Sequence, residues 1–393
     1  MTTDFDPQKF RLRDRKFLRD WLRRLPPKWL FRFMAWLGFR PPPMKALFDA
    51  SSFMLPQWMY VAARLRLAER FASRPMTSRE LADGLDINAD RLGRLLYALE
   101  QRGYFQRIPH SAKTSFDGPW ENTALSATLM EAHPNSIRPI LLHWMEDCYR
   151  PGARLLDSLR SGECAFKLEH APDYETFFGD LLPKNKRRAD QFSHAMSATS
   201  AFTDQAVLKD FRWDRFKRLV DIGGSNGSFL DLTLGHHPTL KGLIFDLPGV
   251  IESARTLWSE RRDDVSRRMD YAAGSFFDPS TIPPIGHDEA YVLRNILHDW
   301  SNEDCVRILE NLRRGMSEDT GCLILVELGL GFDASGHVLE QARSTIDLLM
   351  LTMFEGRERR TQDFQNLFER TGFELVSITP TRSVAHIIQA RPK

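Results

Sequence analysis

Val220-Asp221-Ile222-Gly223-Gly224-Ser225-Asn226-Gly227 is the stretch on which the fold turns. Residues that favour a pleated strand run into three glycines within five positions. The change reads as a strand over 218–224 followed by a helix over 228–236. Glycine between them lets the backbone turn sharply and approach a ligand with no Cβ in the way. Outward from this loop the alternation continues. A strand is expected at 242–247, a helix from 250 to about 262, a third strand ending at Gly274-Ser275, a fourth at 289–297 and a helix at 302–316. A fifth strand at 322–328, helices at about 337–354 and 361–371, and a strand pair at 373–379 and 385–390 close the chain. Such alternation implies an α/β fold with a parallel sheet covered on both faces. Ligands in these sheets bind beyond the carboxyl ends of the strands.

The second strand ends in Phe245-Asp246-Leu247-Pro248. An acidic residue about 20 positions after the glycine loop can accept both hydroxyls of a ribose. This spacing suits a nucleoside-bearing cofactor and does not separate a dinucleotide from S-adenosylmethionine. There is no second glycine fingerprint and no lysine-containing phosphate loop, which disfavours ATP.

Upstream of residue 205 the pattern changes. Residues 46–204 read as a mostly helical half. The apolar stretch 53–71 has helical spacing, Thr77-Ser78-Arg79-Glu80 is a capping box, and a helix over 89–102 is stopped by Gly103. A strand at 104–108 completes a pattern similar to a winged helix. The second helix offers Arg91 and Arg94 but also Glu100, so it lacks a basic face for DNA. Dimerisation or a scaffold role fits better than nucleic-acid binding. Trp144, Phe166, Tyr174, Phe177, Phe178, Phe192 and Met196 supply core and the lining of an apolar pocket between the halves.

Composition bounds the rest. The 393 residues are 42% hydrophobic and 27% charged, which excludes wholesale disorder and is enough for two domains. No apolar run approaches the roughly 18 residues that cross a bilayer. The formal charge of +2 hides an asymmetry: residues 1–45 hold 12 Lys and Arg against 4 Asp, leaving the remainder at −6. Phe10, Phe17, Trp21 and Leu25 can share one helical face of this basic arm. The arm is either a peripheral helix on an anionic membrane or a segment packed on the chain's own body or a second subunit. Pro41-Pro42-Pro43 is expected to end it. Cys148, Cys164, Cys305 and Cys322 form no CxxC pair, which suits a reducing cytoplasm without structural zinc.

Several further motifs join these signals. They are Gly274-Ser275-Phe276-Phe277, Leu293-Arg294-Asn295-Ile296-Leu297-His298-Asp299-Trp300, Gly356-Arg357-Glu358-Arg359-Arg360 and Thr371-Gly372-Phe373, with Asn122-Thr123-Ala124-Leu125-Ser126 and Ala195-Met196-Ser197 upstream. Together with Asp-Ile-Gly-Gly and Phe-Asp-Leu-Pro, they give residues 46–393 a resemblance to the plant-type (caffeate and hydroxyindole) class II O-methyltransferase family. The resemblance implies a Rossmann-like methyltransferase sheet over 205–393, an N-terminal mostly helical winged-helix-type dimerisation domain over 46–204, and a homodimer. It implies S-adenosylmethionine as methyl donor and no metal. By position, Gly223, Gly224 and Gly227 would border the methionine part of the donor, and Ser200 would assist its carboxylate. Asp246 would hold the ribose; Leu247, Ser275, Phe276 and Arg294 would surround the adenine. His298 matches the catalytic base, and Glu327 and Glu358 the acidic residues that orient it. Met196 and Met350 would line the acceptor pocket; Trp144 is added to it on its own aromatic character and not by the resemblance. Ser225 and Ser275 depart from the family's usual glycine and aspartate.

The chemistry these residues suit follows from pKa values. A phenol, with a pKa near 10, is mostly protonated at neutral pH, so a positioned histidine that removes its proton is worth about 10²–10⁴ in rate. A carboxylate fixes the imidazole tautomer, and no step requires a metal. The expected reaction is O-methylation of a hydroxyl on a small, largely apolar or aromatic metabolite. S-methylation of a methylthio-hydroxy acid is the alternative, because a thioether already has its lone pair and needs no base. A carotenoid-like lipid hydroxyl would suit a membrane-facing arm.

Overall fold

The computed structural model describes residues 42–108, 116–261, 263–316, 321–331 and 337–393. The basic arm, and with it the choice between a membrane surface and a packed segment, lies outside the described residues except for its last four. Those four begin a helix, α1 (Pro42–Ser51). Proline is tolerated in the first turn, where its missing N–H would have had no partner. The proline run therefore starts a helix where the sequence suggested only an end. The described chain divides after Gln57 into two compact units.

The apolar stretch 53–71 forms two helices, α2 (Met54–Arg64) and α3 (Leu67–Phe71). The break falls at Arg66, whose φ of +53° is left-handed. α4 (Ser78–Asp83) opens on the expected capping box: Thr77 N–H donates to Glu80 Oε2 at 2.7 Å, and Glu80 N–H donates to Thr77 Oγ1 at 3.1 Å. α5 (Ala89–Glu100) leads to a short hairpin, β1 (Gln106–Arg107) against β2 (Trp120–Glu121). The strand is shorter than 104–108 because Phe105, at φ +58°, turns inward to bury its ring against Phe71. The long helix α6 (Lys186–Lys209) crosses residues 204 and 205 without a break.

Seven strands form the main sheet: β3 (Arg218–Ile222), β4 (Lys241–Asp246), β5 (Met269–Ala273), β6 (Glu289–Arg294), β7 (Cys322–Glu327), β8 (Phe373–Pro380) and β9 (His386–Pro392), in the order β5-β4-β3-β6-β7-β9-β8. The first five are parallel; β9 is antiparallel to both neighbours. From β3 the chain winds out to β4 and β5, then returns to β6 on the other side. The carboxyl ends of β3 and β6 thus border the crevice where such sheets bind ligands. The fourth strand stops at Arg294, short of 297. Asn295, at φ +49°, turns the backbone into a single 3₁₀ turn, Leu297–Asp299.

Period-two alternation places Val220, Tyr291, Leu293, Leu323 and Leu325 on one face, and Leu219, Ala290, Val292, Ile324 and Val326 on the other. The second face is covered by α7 (Ser228–His236), through Phe229, Leu230 and Leu234. α8 (Pro248–Trp258) adds Ile251 there. The first face is covered by α9 (Asn302–Arg314); α10 (His337–Met353) then precedes α11 (Thr361–Thr371), which completes that cover. Among the described residues no helix is long and apolar enough to cross a membrane. Leu309 on α9 is wholly buried against the sheet. Leu309→Ala is expected to cost about 2–5 kcal/mol, read from urea unfolding midpoints.

Candidate active site

The glycine loop after β3 is built for close approach. Gly223 and Gly227 have φ of +71° and +79°. A Cβ at Gly223 would lie 2.5 Å from Ile296 Cδ1, and one at Gly227 would lie 2.2 Å from Ile244 Cδ1. Ser225, in place of a third glycine, also adopts a left-handed φ of +52°, which costs a side-chain-bearing residue about 1–2 kcal/mol. Its contacts offset this. Ser225 N–H donates to Asp246 Oδ2 at 2.9 Å, and its hydroxyl meets Ser193 Oγ at 3.2 Å. Asn226 Nδ2 donates to Ser197 Oγ at 2.7 Å. Ser193 was not singled out from the sequence, and Ser197 entered only as part of the Ala195-Met196-Ser197 motif, with no role assigned. With Ser200 and Asp204 they recur every three or four residues along α6, a polar stripe that such spacing could have revealed.

Asp246 ends β4 and closes the loop. Its Oδ1 accepts the Leu247 N–H at 2.7 Å, and burial pushes its carboxyl up to about 6. Asp221, at the end of β3, is buried more deeply and is pushed up to about 7, again by desolvation. The Leu247 side chain is 43% exposed at this rim. Ser275 is turned inward: its hydroxyl accepts the Phe277 N–H at 3.2 Å. Arg294 pairs with Asp204 and lies over the Phe229 ring at 4.2 Å. Its charge also acts on Asp221, at the end of β3.

The second constellation follows β6 and β7. His298 sits on the 3₁₀ turn, and its Nδ1–H donates to Glu358 Oε1 at 2.7 Å. Glu358 Oε2 accepts the Gly329 N–H at 3.2 Å, and Glu327 Oε1 accepts the Leu297 N–H at 3.1 Å. One ligand-type atom from each of His298, Glu327 and Glu358 lies within 4.8 Å of the others. Asp299 Oδ1 is 3.5 Å from His298 Nε2. Burial opposes the imidazolium, but Asp299, Glu358 and Glu327 outweigh it and hold His298 well above the ordinary histidine range, at about 10. Burial raises Glu327 and Asp299 in turn. The segment bearing Glu358 lies directly on the turn: a Cβ at Gly356 would sit 1.9 Å from the His298 carbonyl oxygen. Asp299 and Arg359 join the site without having been singled out as site residues in the sequence.

An aromatic wall adjoins the histidine. Phe178 stacks on Phe354 (centroids 5.0 Å apart, planes at 11°) and on Trp300 (6.0 Å, 27°). Trp300 in turn meets Phe276 edge-on at 5.7 Å. Phe177 and Phe192 extend the wall to His143, whose imidazole is held by Asp147 at 2.8 Å and pushed down to about 4 by burial and by Arg188. Met350 is buried on α10 and Met196 half-buried on α6, whereas Trp144 is 41% exposed. A surface cleft of about 430 Å³ at Arg255, Trp258 and Tyr271 shares no residue with this site.

Comparison with known proteins gives this geometry a class. The O-methyltransferase domain family matches residues 154–374, more than half of the chain, and the O-methyltransferase dimerisation domain family matches residues 49–132. The phenazine O-methyltransferase of Lysobacter antibioticus is 31% identical over 347 residues, covering 87% of this chain and 94% of that one. The 8-amino-8-demethylriboflavin N,N-dimethyltransferase of Streptomyces davaonensis is 30% identical over 334 residues, covering 85% and 90%. Among solved structures, LaPhzM superposes with a TM-score of 0.80 at 30% identity, covering 90% of this chain and 100% of that one. An O-methyltransferase from neocarzinostatin biosynthesis, in complex with S-adenosylmethionine and 2-hydroxy-5-methyl naphthoic acid, superposes with a TM-score of 0.71 at 26% identity, covering 86% and 96%. The sheet, its glycine crevice and the helical half are those of a methyltransferase that draws on S-adenosylmethionine. The chain belongs to the O-methyltransferase family.

The crevice fits that donor: glycines with positive φ turn the backbone at the end of β3, where a Cβ would strike Ile296 or Ile244, and a carboxylate stands at the adjoining strand end. The raised pKa of Asp246 has a testable sign. Between pH about 4 and 6 the folded state keeps a proton that the unfolded chain has released, so stability falls as pH rises through that window. Asp246→Asn removes this dependence. Its thermal midpoint relative to the parent protein is expected to improve from pH 4 to pH 7, while calorimetry shows weakened S-adenosylhomocysteine binding.

Proposed function

We propose that this methyltransferase acts on a hydroxyl of a small aromatic acceptor, with His298 as general base. The observation that carries the reading is the buried pair of His298 and Glu358 beside a wall of stacked rings. Phe178, Phe354 and Trp300 present flat apolar surface suited to an aromatic molecule, and aromatic pairs add about 0.5–1.5 kcal/mol each beyond area burial. Two of the relatives are named for O-methylation of phenazine and mitomycin scaffolds, and a solved neighbour holds a hydroxynaphthoic acid.

When bound, S-adenosylmethionine supplies an electrophilic methyl group on a positively charged sulfur. In this reading Gly223, Gly224 and Gly227 border its methionine part and Ser200 meets its carboxylate. Asp246 takes the ribose, and Leu247, Ser275 and Phe276 meet the adenine. Arg294, held by Asp204, lies toward the adenine. Glu358 fixes the His298 tautomer with the proton on Nδ1, which leaves Nε2 to take the proton of the acceptor hydroxyl. Three surrounding carboxylates raise the imidazole pKa to about 10, and a cationic donor in the same site would act in the opposite direction, toward the neutral imidazole that a base requires. The imidazolium then formed is stabilised by Glu358 and Asp299. Glu327 fixes the turn through the Leu297 N–H. Met196 and Met350 border the acceptor, and Trp144 lies at its outer edge. The dimerisation-domain match and the exposed Phe53 and Met54 support a homodimer.

His298→Ala is expected to lower kcat on a hydroxynaphthoic acid by about 10²–10⁴ while S-adenosylhomocysteine affinity is retained. Undiminished turnover would remove the base assignment. Methyl-labelled S-adenosylmethionine incubated with small-molecule extract tests the acceptor class: label is expected in an apolar ether. A cationic aqueous product would mean sulfur chemistry, and a labelled aromatic amine would mean the chemistry named for the riboflavin-type relative.

A further inference from the structure

We infer that Arg359 and Asn302 are positioning residues for His298, acting through the backbone of the turn that carries it. The inference rests on the reading of His298 as base. The turn Leu297–Asp299 is a single 3₁₀ turn with few bonds of its own: Asp299 N–H to Ile296 O at 3.2 Å and Trp300 N–H to Leu297 O at 3.3 Å. It is held instead from outside. Arg359 Nη1 donates to the Leu297 carbonyl at 2.5 Å, and Nη2 donates to the Trp300 carbonyl at 2.8 Å. One buried guanidinium therefore grips the backbone immediately before His298 and two residues after it. Arg359 adjoins Glu358, so consecutive residues of one segment hold the imidazole by its Nδ1–H and the backbone by its carbonyls.

Asn302 aims the fork. It is the first residue of α9, and its Oδ1 accepts from both Nε (3.2 Å) and Nη2 (3.0 Å) of Arg359. A guanidinium is planar and presents its donors in fixed directions, so fixing one edge fixes where the other points. A lysine would offer no such edge. The segment is also pressed onto the turn at Gly356, where no Cβ could be accommodated. The guanidinium acts on Glu327 as well, favouring its charged form, which adds to the electrostatic order around the imidazole.

Arg359 is too buried for its removal to be a clean test, so Asn302 is the better handle. The protein would carry ¹⁵N-labelled histidine and be saturated with S-adenosylhomocysteine. The downfield Nδ1 proton of His298, assigned by its absence in His298→Ala, reports the bond to Glu358 without turnover. Asn302→Ala is expected to move this resonance upfield while leaving S-adenosylhomocysteine affinity unchanged. It should lower kcat on the hydroxyl acceptor about tenfold at constant KM, and shift the acidic limb of the pH profile. Asn302→Asp, which keeps the acceptor, should restore both. In the His298→Ala background, Asn302→Ala should cost nothing further. An unmoved resonance in Asn302→Ala, or an equal loss of kcat with and without His298, overturns the positioning role. Full activity of His298→Ala overturns the base reading itself, and the resonance is read independently of that outcome.

Discussion

Burial of carboxylates at one end of a parallel sheet is the constraint on which the rest of this structure depends. Asp204, Asp221, Asp246, Asp299, Glu327 and Glu358 gather around the carboxyl ends of β3, β4, β6 and β7, all buried or half-buried. An isolated buried carboxylate costs several kcal/mol, so each needs a compensating group. The chain supplies them unevenly. Asp204 has Arg294, Asp246 has two backbone N–H groups, and Glu358 has His298 with the Gly329 N–H. Glu327 has one N–H for one oxygen, and its Oε2 is buried without a hydrogen-bond partner. The surplus of negative charge suits a site whose donor arrives as a cation.

The sheet was legible because its signals are local. Alternation of strand and helix, glycines at a turn with positive φ, and an acid at the next strand end each follow from a few neighbouring residues. His298 and Glu358 were legible only through resemblance, since they are 60 positions apart and meet through the fold. What stayed hidden required partners that no local pattern names. The prolines at 42 and 43 look like a stop, yet proline is tolerated in the first turn of a helix, and α1 begins with them. The apolar stretch 53–71 hides its break because Arg66, not glycine, adopts the left-handed conformation. Arg294 was expected beside the adenine, and the contacts found for it are with Asp204 and Phe229, a pairing across 90 positions.

The aromatic wall is built differently from the glycine loop. The loop is shaped by backbone: positive φ, absent Cβ atoms and N–H groups. The surroundings of His298 are shaped by rings. Phe177, Phe178, Phe192, Phe354 and Trp300 come from three separate regions of the chain, and of these five Phe192 alone lies on α6, the helix that touches the loop. This division is consistent with relatives that share the fold while being named for chemically unlike acceptors.

The hydroxyl contact between Ser193 and Ser225 joins these two sides. α6 carries Ser193 and Ser197 toward the donor loop, and Phe192 and Met196 lie one residue before each of them. One helix therefore touches both the glycine loop and the aromatic wall. If binding at the loop altered the affinity at the wall through this helix, thermodynamic reciprocity would require the reverse effect in equal measure. The serine that replaces a third glycine thus works as a rivet: its hydroxyl fastens the loop to α6, a tie that glycine has no atom to make.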